Sequence, residues 1–353
     1  MKPELGIVEG FFGRPWAWQA RHAAVTRLAP IGYGFYLYAP KADASLRRDW
    51  RAALAHPDEL ARLAEHCATH AVRFGIGLTP FGAHLGFDAD ARAALADKIA
   101  AIESTGATEL AILFDDMDGG PADLAIRQAA IVEFAASRSR ASRISVCPSY
   151  YSDDPLLDRV FGERPPRYLE TLAAGLDSRI GIFWTGEEVC SREIAPGHLD
   201  VIANRIGRAP ILWDNYPVND GPTMSQRLHL RGFTGRNARI GDHLAAHAVN
   251  PALQPTLSLV PLLTLVDCYR EGDAYCYRSA TDRALANVLG DELAALLRVD
   301  LKWLQDIGLD RLGAHERDEL RARYRAVDHP AAREVLGWLA GDWAISGEAV
   351  RTQ

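Results

Sequence analysis

Residues 109–117 read ELAILFDDM, a short apolar run that ends directly in two adjacent aspartates. A run of this length, bounded by polar residues, is typical of a buried strand. Comparable runs recur along the chain and predict strands at Leu5–Phe12, Gly34–Tyr38, Arg73–Leu78, Glu109–Phe114, Arg143–Cys147, Ile180–Trp184, Pro210–Trp213 and, less distinctly, Ala245–Val249. Between them lie segments with apolar residues at helical spacing, such as 58–70 and 90–105. This alternation predicts a parallel sheet with crossover helices.

Polar or aromatic clusters follow most of these strands. They are Glu9-Gly10, Tyr38-Ala39-Pro40-Lys41, Asp115-Asp116, Ser149-Tyr150-Tyr151, Trp184-Thr185-Gly186 and Asp214-Asn215. In a barrel all strand ends meet at one mouth, whereas an open sheet gathers only those beside its switch point. We therefore predict an α/β protein with a (β/α)8 TIM barrel over residues 1–270.

The pattern changes after about residue 270. From Thr281 the chain is rich in Leu, Ala and Arg at helical spacing, Asp328-His329-Pro330 interrupts it, and a last helix is expected over 331–340. We predict a small α-helical C-terminal domain over residues 271–353. Its leucines fit either packing on the barrel, which we favour, or a homodimer interface.

Composition narrows the class of partner. The chain has 353 residues, 48% of them hydrophobic, and a formal net charge of −7 without a basic run, so we expect no nucleic-acid partner. No window approaches the roughly 18 apolar residues of a membrane span, and no signal-peptide pattern is present at the start, so we expect a cytoplasmic protein without a membrane partner.

Metal and cofactor motifs are not evident. The five cysteines form neither a disulfide framework nor a CxxC pair. Two histidine pairs are four residues apart, His66 with His70 and His243 with His247, but neither first histidine is followed by the glutamate of a zinc-protease motif. We expect no metal and no cofactor.

The pair Asp115-Asp116 is the strongest candidate for chemistry. Two carboxylates at such a short separation repel each other, which disfavours ionisation of both. One carboxyl group is therefore expected to hold its proton more tightly than the other. A site then has an acid and an anion side by side. Capping of the next helix, or binding of a cation, explains the dipeptide alone equally well.

A second polar cluster spans residues 213–220, WDNYPVND. Carboxylates and amides beside an aromatic ring can hold a sugar, because they bond its hydroxyl groups while the ring covers an apolar face. A turn is the alternative, since Asn, Asp and Pro all favour turns.

Gly10 and Gly13 fit either close approach of the backbone to a ligand or a strand-to-helix turn. Lys41 is either a ligand donor or a solvated loop cation.

Together these segments resemble one family of enzymes. Residues 6–16 (GIVEGFFGRPW), 36–41 (YLYAPK) and 113–117 (LFDDM), followed in order by Trp184-Thr185-Gly186, residues 211–215 with Asn219-Asp220, and Asn250-Pro251, are similar to glycoside hydrolase family 84. That family includes O-GlcNAcases and bacterial β-N-acetylglucosaminidases. The resemblance covers roughly residues 5–270.

The resemblance implies substrate-assisted catalysis, in which the 2-acetamido oxygen attacks the anomeric carbon and forms an oxazoline. By match to the family motif, Asp115 would orient and polarise the acetamido N–H, and Asp116 would be the general acid and then the base. The implied sugar contacts are Asp220 with Asn250 at distal hydroxyls, Asn215 near the acetamido group or its flanking hydroxyl, Lys41 at a ring hydroxyl, the Gly10 backbone, Tyr151 near the anomeric centre and Trp213 at the acetamido pocket.

The sequence departs from the family pattern at Phe12, where a tyrosine is usual, and in the loop 81–84. These departures bear on the aglycone and on affinity, not on the acid pair. The expected partner is a glycan or glycoprotein that ends in β-GlcNAc, and the aglycone is left open between O-GlcNAc proteins and amino-sugar fragments. The alternative hypothesis is a sugar-binding pseudoenzyme, and the intact acid pair argues against it.

Overall fold

The computed structural model of the chain describes residues 2–117 and 119–345. Within these ranges eight parallel strands form a closed barrel in which each strand pairs with the next along the chain and the last pairs with the first. The strands are β1 Glu4–Glu9, β2 Tyr33–Tyr38, β3 Arg73–Leu78, β4 Glu109–Leu113, β5 Arg143–Cys147, β6 Gly181–Trp184, β7 Ile211–Asp214 and β8 Ala246–Val249. The predicted (β/α)8 barrel is confirmed, including the eighth strand.

The first strand is shorter than predicted. It ends at Glu9, whereas the sequence pattern continued it to Phe12. Beyond Glu9 the regular strand ends, and side chains of other loops accept from two backbone N–H groups. Gly10 donates to Asn250 Oδ1 at 3.2 Å, as well as to the Val8 carbonyl at 2.9 Å, and Phe12 donates to Asp220 Oδ2 at 2.7 Å. Residues 10–12 therefore belong to the mouth of the barrel.

Helices cover the outside of the barrel and form the C-terminal part of the chain. They are α1 Trp18–Leu28, α2 Pro57–Thr69, α3 Ala89–Ser104, α4 Leu124–Arg138, α5 Pro155–Phe161, α6 Tyr168–Ala174, α7 Pro196–Ile206, α8 Pro255–Glu271, α9 Tyr277–Leu301, α10 Ala314–Arg325 and α11 Pro330–Ala340. Local signals set several ends: the Asp88 carboxylate caps α3 by accepting from the N–H of Ala91 at 2.9 Å, and Gly207 ends α7 with φ of +69°. Among the described helices, none is both long and apolar enough to cross a bilayer.

The C-terminal helices have an apolar core of their own. Leu293, Leu297 and Leu304 are buried in it, together with Leu257 and Val260 from α8. The opposite face of α8 packs into the barrel core. Because α8 contributes to both cores, Leu293, Leu297 and Leu304 pack against a helix of the barrel. The boundary at residue 270 and a homodimer through these helices stay predictions.

One buried carboxylate ties the two cores together. Glu334 of α11 is 8% exposed, and its oxygens accept from the first N–H groups of α8, those of Thr256 at 2.8 Å and Leu257 at 2.9 Å. Burial raises the pKa of Glu334, and the hydrogen bonds oppose that rise. The residue thus caps a barrel helix from the C-terminal region.

We expect Glu334→Ala to lower the free energy of unfolding by about 1–3 kcal/mol, because two buried N–H groups lose their acceptors. Glu334→Gln keeps one acceptor and should lose less. Urea denaturation monitored by tryptophan fluorescence measures the difference. Glu292→Ala on the exposed side of α9 is the control, and a loss as large at Glu292 would contradict the capping role.

Candidate active site

One pocket at the carboxyl ends of the strands contains all nine residues predicted for the site. It is lined by Gly10, Phe12, Lys41, Asp115, Asp116, Cys147, Tyr151, Thr185, Val189, Trp213, Asn215, Asp220 and Asn250. These residues lie on or directly after every strand except β3. The closed barrel therefore brings together side chains that are up to 240 positions apart in the chain, as for Gly10 and Asn250.

A buried lysine holds the two aspartates. The Lys41 ammonium forms an ion pair with Asp115 Oδ2 and lies 3.5 Å from Asp116 Oδ2. Burial alone would lower the pKa of Lys41, but the two carboxylates outweigh it and raise that pKa. The family resemblance implied a ring hydroxyl as a partner of Lys41, and the structure adds both carboxylates as its partners within the protein; the sugar contact stays a prediction. The positive charge offsets the repulsion between the two acids.

Asp115 presents a free acceptor. Its side chain is buried, and one oxygen, Oδ2, is used by Lys41. The other oxygen, Oδ1, accepts no hydrogen bond within the part of the chain that the structure describes. A buried carboxylate oxygen without a donor is costly. Asp115 is therefore suited to take an N–H donor from a ligand.

Asp116 has the properties of an acid. Burial raises its pKa, the negative charge of Asp115 adds to the rise, and Lys41 and Arg47 oppose it. The Tyr151 hydroxyl donates to Asp116 Oδ1 at 3.3 Å. With a pKa above the usual range for aspartic acid, the group keeps its proton to a higher pH and can donate it.

A hydrogen-bond network fixes the opposite wall of the pocket. Asn215 Oδ1 accepts from Trp213 Nε1 at 3.1 Å and from Asn250 Nδ2 at 3.0 Å. Asn215 Nδ2 donates to the Val189 carbonyl at 2.8 Å, and Asn250 Oδ1 accepts from Gly10. Each amide is thus oriented by at least two partners before any ligand binds.

Gly10 lies directly against the indole of Trp213. A Cβ at this position would overlap the ring. We expect Gly10→Ala to lower the free energy of unfolding by about 1–3 kcal/mol, because either the ring or the strand end must shift. Urea denaturation measures this cost, with Gly197→Ala, where a Cβ meets open space, as the control. Equal stability of the two variants would show that the contact is soft.

The polar cluster 213–220 divides into two groups. Asn215 and Asp220 line the pocket, whereas Asp214 and Asn219 are buried behind it. Asn219 Nδ2 donates to the Arg227 carbonyl at 2.9 Å, and its Oδ1 accepts from another backbone N–H. Part of the cluster therefore faces the pocket and part anchors the loop, and the binding of a sugar by its pocket side stays a prediction.

Asp214 anchors strand β7 from behind. It accepts from Arg236 Nε and Nη2 at 2.8 and 2.6 Å, and it lies 3.0 Å from His247 Nε2. Desolvation would raise the pKa of Asp214, but Arg236 and His247 together hold it well below the usual range. Glu9, at the end of β1, is likewise turned away from the pocket and accepts from both Arg21 and Tyr36. These carboxylates support the site without facing it.

Four pocket residues were not predicted: Phe12, Cys147, Thr185 and Val189. The first three lie inside quoted motifs but carry no polar pattern that separates them from core residues. Val189 orients Asn215 through its main-chain carbonyl, which no sequence pattern reveals. Burial, with a contribution from Asp115, raises the pKa of the Cys147 thiol well above its usual value, which disfavours the thiolate.

The described residues contain no group of three or more His, Cys, Asp or Glu side chains placed to hold a metal ion. His66 and His70 have their rings 4.3 Å apart, and His70 Nδ1 lies 2.9 Å from the His66 carbonyl. His247 is bound to Asp214 and to the Tyr269 hydroxyl. These histidines serve local packing and hydrogen bonding.

Known proteins are similar to this chain in sequence. The family model for beta-N-acetylglucosaminidase matches residues 5–300. The Protein O-GlcNAcases of Mus musculus and Rattus norvegicus are each 28% identical over 277 residues, which is 75% of this chain and 30% of theirs. The chain thus spans less than a third of the length of these curated relatives.

Solved structures agree on the fold. A mutant of the Thermobaculum terrenum O-GlcNAc hydrolase superposes with a TM-score of 0.78 at 25% identity, over 96% of this chain and 80% of that one. CpGH84B superposes with a TM-score of 0.77 at 21% identity, over 96% of this chain and 67% of that one. The latter likeness concerns the fold alone. Because the family model matches most of this chain, the chain belongs to the β-N-acetylglucosaminidase family of glycoside hydrolases, family 84.

Proposed function

We propose that this protein is a retaining exo-β-N-acetylglucosaminidase that removes terminal β-GlcNAc by substrate-assisted catalysis. The observation that carries the proposal is the Asp115–Asp116 pair on one buried ammonium, in a pocket whose other wall is preorganised. Family membership supports the reaction class.

The placement of the acids favours a nucleophile supplied by the substrate. Enzymes with two catalytic carboxylates hold them on either side of the scissile bond, about 5–5.5 Å apart for retention and 6.5–9.5 Å for inversion. Here the two acids are neighbours in the chain and both contact the same Lys41 ammonium, so we propose that they approach the sugar from one side. The 2-acetamido group of the sugar can then provide the nucleophilic oxygen.

In the proposed first step, the acetamido oxygen forms a bond to the anomeric carbon while the bond from that carbon to the leaving oxygen breaks. Asp116 gives its proton to the leaving oxygen. Asp115 accepts the acetamido N–H through its free oxygen and stabilises the positive charge that develops on the nitrogen. The product of this step is a protonated oxazoline, the oxazolinium ion, whose N–H stays hydrogen-bonded to the Asp115 carboxylate.

In the second step a water molecule adds to the anomeric carbon and the oxazoline ring opens. Asp116, now ionised, takes the proton from that water. Two displacements at the same carbon restore its configuration, so the mechanism retains the β-anomer. Asn215, Asp220, Asn250, Lys41, Tyr151, Trp213 and the Gly10 backbone are proposed to hold the sugar.

Release of 4-methylumbelliferone from its β-N-acetylglucosaminide, with and without GlcNAc-thiazoline, tests the proposal. Turnover that the thiazoline blocks would support both the reaction class and the oxazoline route. Turnover insensitive to the thiazoline would reject that route. Tight binding of the thiazoline without turnover would favour a sugar-binding protein instead.

The aglycone is proposed from the relatives. Two of them are named as protein O-GlcNAcases and one as an O-GlcNAc hydrolase, so we propose protein-linked GlcNAc as a substrate. Comparing kcat/KM for an O-GlcNAc-modified peptide and for chitobiose at equal concentration tests this choice. A clear preference for chitobiose would reject it.

A further inference from the structure

Arg47 approaches the acid pair from outside the pocket lining. It follows a short 3-10 turn, Ala44–Leu46, after strand β2, and it is 7% exposed. The turn is held firmly, because the N–H of Thr79 donates to the Leu46 carbonyl at 2.8 Å and the Asp43 side chain caps the turn. The backbone from which Arg47 extends is therefore fixed.

The guanidinium group of Arg47 contacts two aromatic rings. Its Cζ atom is 5.6 Å from the centre of the Phe12 ring and 5.7 Å from that of Phe81. Arginine stacks favourably on aromatic faces at such distances. Phe12 stands where the family usually has a tyrosine, so this chain offers the arginine a ring without a hydroxyl.

The same guanidinium contacts the backbone of Asp116. Arg47 Nη2 donates to the Asp116 carbonyl at 3.3 Å. Asp116 has φ of +58°, in the left-handed region that non-glycine residues seldom adopt. Such a conformation persists only where neighbouring groups hold it. Arg47 is one of those groups, and Tyr151 holds the carboxylate end of the same residue.

We propose that Arg47 is a positioning residue for Asp116, which fixes the backbone of the general acid so that its carboxyl group is aimed at the leaving oxygen. This rests on the proposed role of Asp116. A guanidinium that packs on two rings and donates to the carbonyl of a strained residue helps to set the direction of that residue's side chain. The consequence should appear only in the step that needs a proton from Asp116.

The charge of Arg47 gives a second consequence. Among the described residues, the titratable groups that act on Asp116 are Lys41, Asp115, Arg47 and Tyr151, with the Cys147 thiol nearby. Lys41, Arg47 and the Tyr151 hydrogen bond lower the pKa of Asp116, whereas Asp115 raises it. Removing Arg47 should therefore raise the pKa of Asp116 and move the alkaline limb of the pH–rate profile to higher pH.

The test compares two aryl β-N-acetylglucosaminides, one with dinitrophenol and one with unsubstituted phenol as the leaving group. For Arg47→Met we expect kcat/KM to fall about 10- to 100-fold on the phenyl substrate, because a small misplacement of a catalytic group costs this much. The dinitrophenyl substrate needs little protonation and should lose less than about 3-fold. Arg47→Lys should restore the pH limb and part of the rate.

Arg48→Met is the matched control. Arg48 is the next residue, is exposed, and packs on the same Phe81 ring at 5.6 Å, but it has no contact with Asp116 among those of the described residues. It should leave both substrates and the pH limb unchanged. Equal losses for Arg47→Met on the two substrates, or an unmoved pH limb, would overturn the proposal and reduce Arg47 to a loop anchor.

Asp116→Asn separates this proposal from the function on which it rests. If that variant shows the leaving-group dependence and Arg47→Met does not, only the positioning role fails. If Asp116→Asn shows no such dependence, the assignment of the general acid fails, and the role of Arg47 fails with it. A ratio of two substrates on one preparation is insensitive to the fraction of folded enzyme.

Discussion

Asp116→Asn is expected to lower kcat/KM by about 10²- to 10⁴-fold for a β-N-acetylglucosaminide with a poor leaving group, the range that general acid catalysis contributes. The amide cannot give a proton to the leaving oxygen. A dinitrophenyl glycoside, which leaves without protonation, should be cleaved to its intermediate at a rate close to that of the unaltered enzyme. Steady-state kinetics over a series of phenols, together with the burst of released phenol, measures this slope.

The pH profile provides an independent check on the same group. Because burial raises the pKa of Asp116, the acid form persists above the usual range for aspartic acid, and activity on poor leaving groups should fall only as the pH rises through that raised value. This alkaline limb should be absent from Asp116→Asn. Asp291→Asn, on the exposed face of α9, serves as control. A limb that survives in Asp116→Asn would assign the acid to another residue.

The barrel was predictable because it depends on local patterns, and most residues of its mouth were named from those patterns together with the family resemblance. The apolar run before Asp115 indicates a buried strand, and closure of the barrel then brings the ends of seven strands to one pocket. The largest error in the strands was the exit from β1, since side chains of distant loops accept from the N–H groups of Gly10 and Phe12. A local pattern cannot register partners more than 200 positions away.

The partners inside the site were not predictable for a different reason. Asp214 and Asn215 are neighbours of similar polarity, yet successive side chains of a strand point to opposite faces, so one anchors β7 and the other lines the pocket. The family resemblance predicted a sugar contact for Lys41. Its contacts with both carboxylates depend on the distance between the ends of β2 and β4, which a sequence does not give. Arg47 carries no signal, because an Arg-Arg pair in a loop is ordinarily solvated.

Asp115→Asn should lower kcat/KM by about 10²- to 10³-fold for good and poor leaving groups alike, the loss typical of removing one preorganised stabilising group. Attack by the acetamido oxygen precedes departure of every leaving group, and the positive charge that develops on the nitrogen would lose its anion. Kinetics with the same series of phenols should therefore give a parallel drop and an unchanged slope.

The two variants together decide the division of labour within the pair. In Asp115→Asn the Lys41 ammonium loses the nearest negative charge, but it can still donate to the carbonyl oxygen of the amide. The variant is therefore expected to fold and to bind the sugar. Binding of GlcNAc-thiazoline, measured by calorimetry, should weaken, because the protonated ring nitrogen of the bound inhibitor no longer faces an anion. If Asp115→Asn instead steepened the dependence on the leaving group while Asp116→Asn lowered all substrates equally, the two roles would be exchanged. Their shared lysine makes either assignment electrostatically feasible, and the free oxygen of Asp115 together with the raised pKa of Asp116 favours the one argued above.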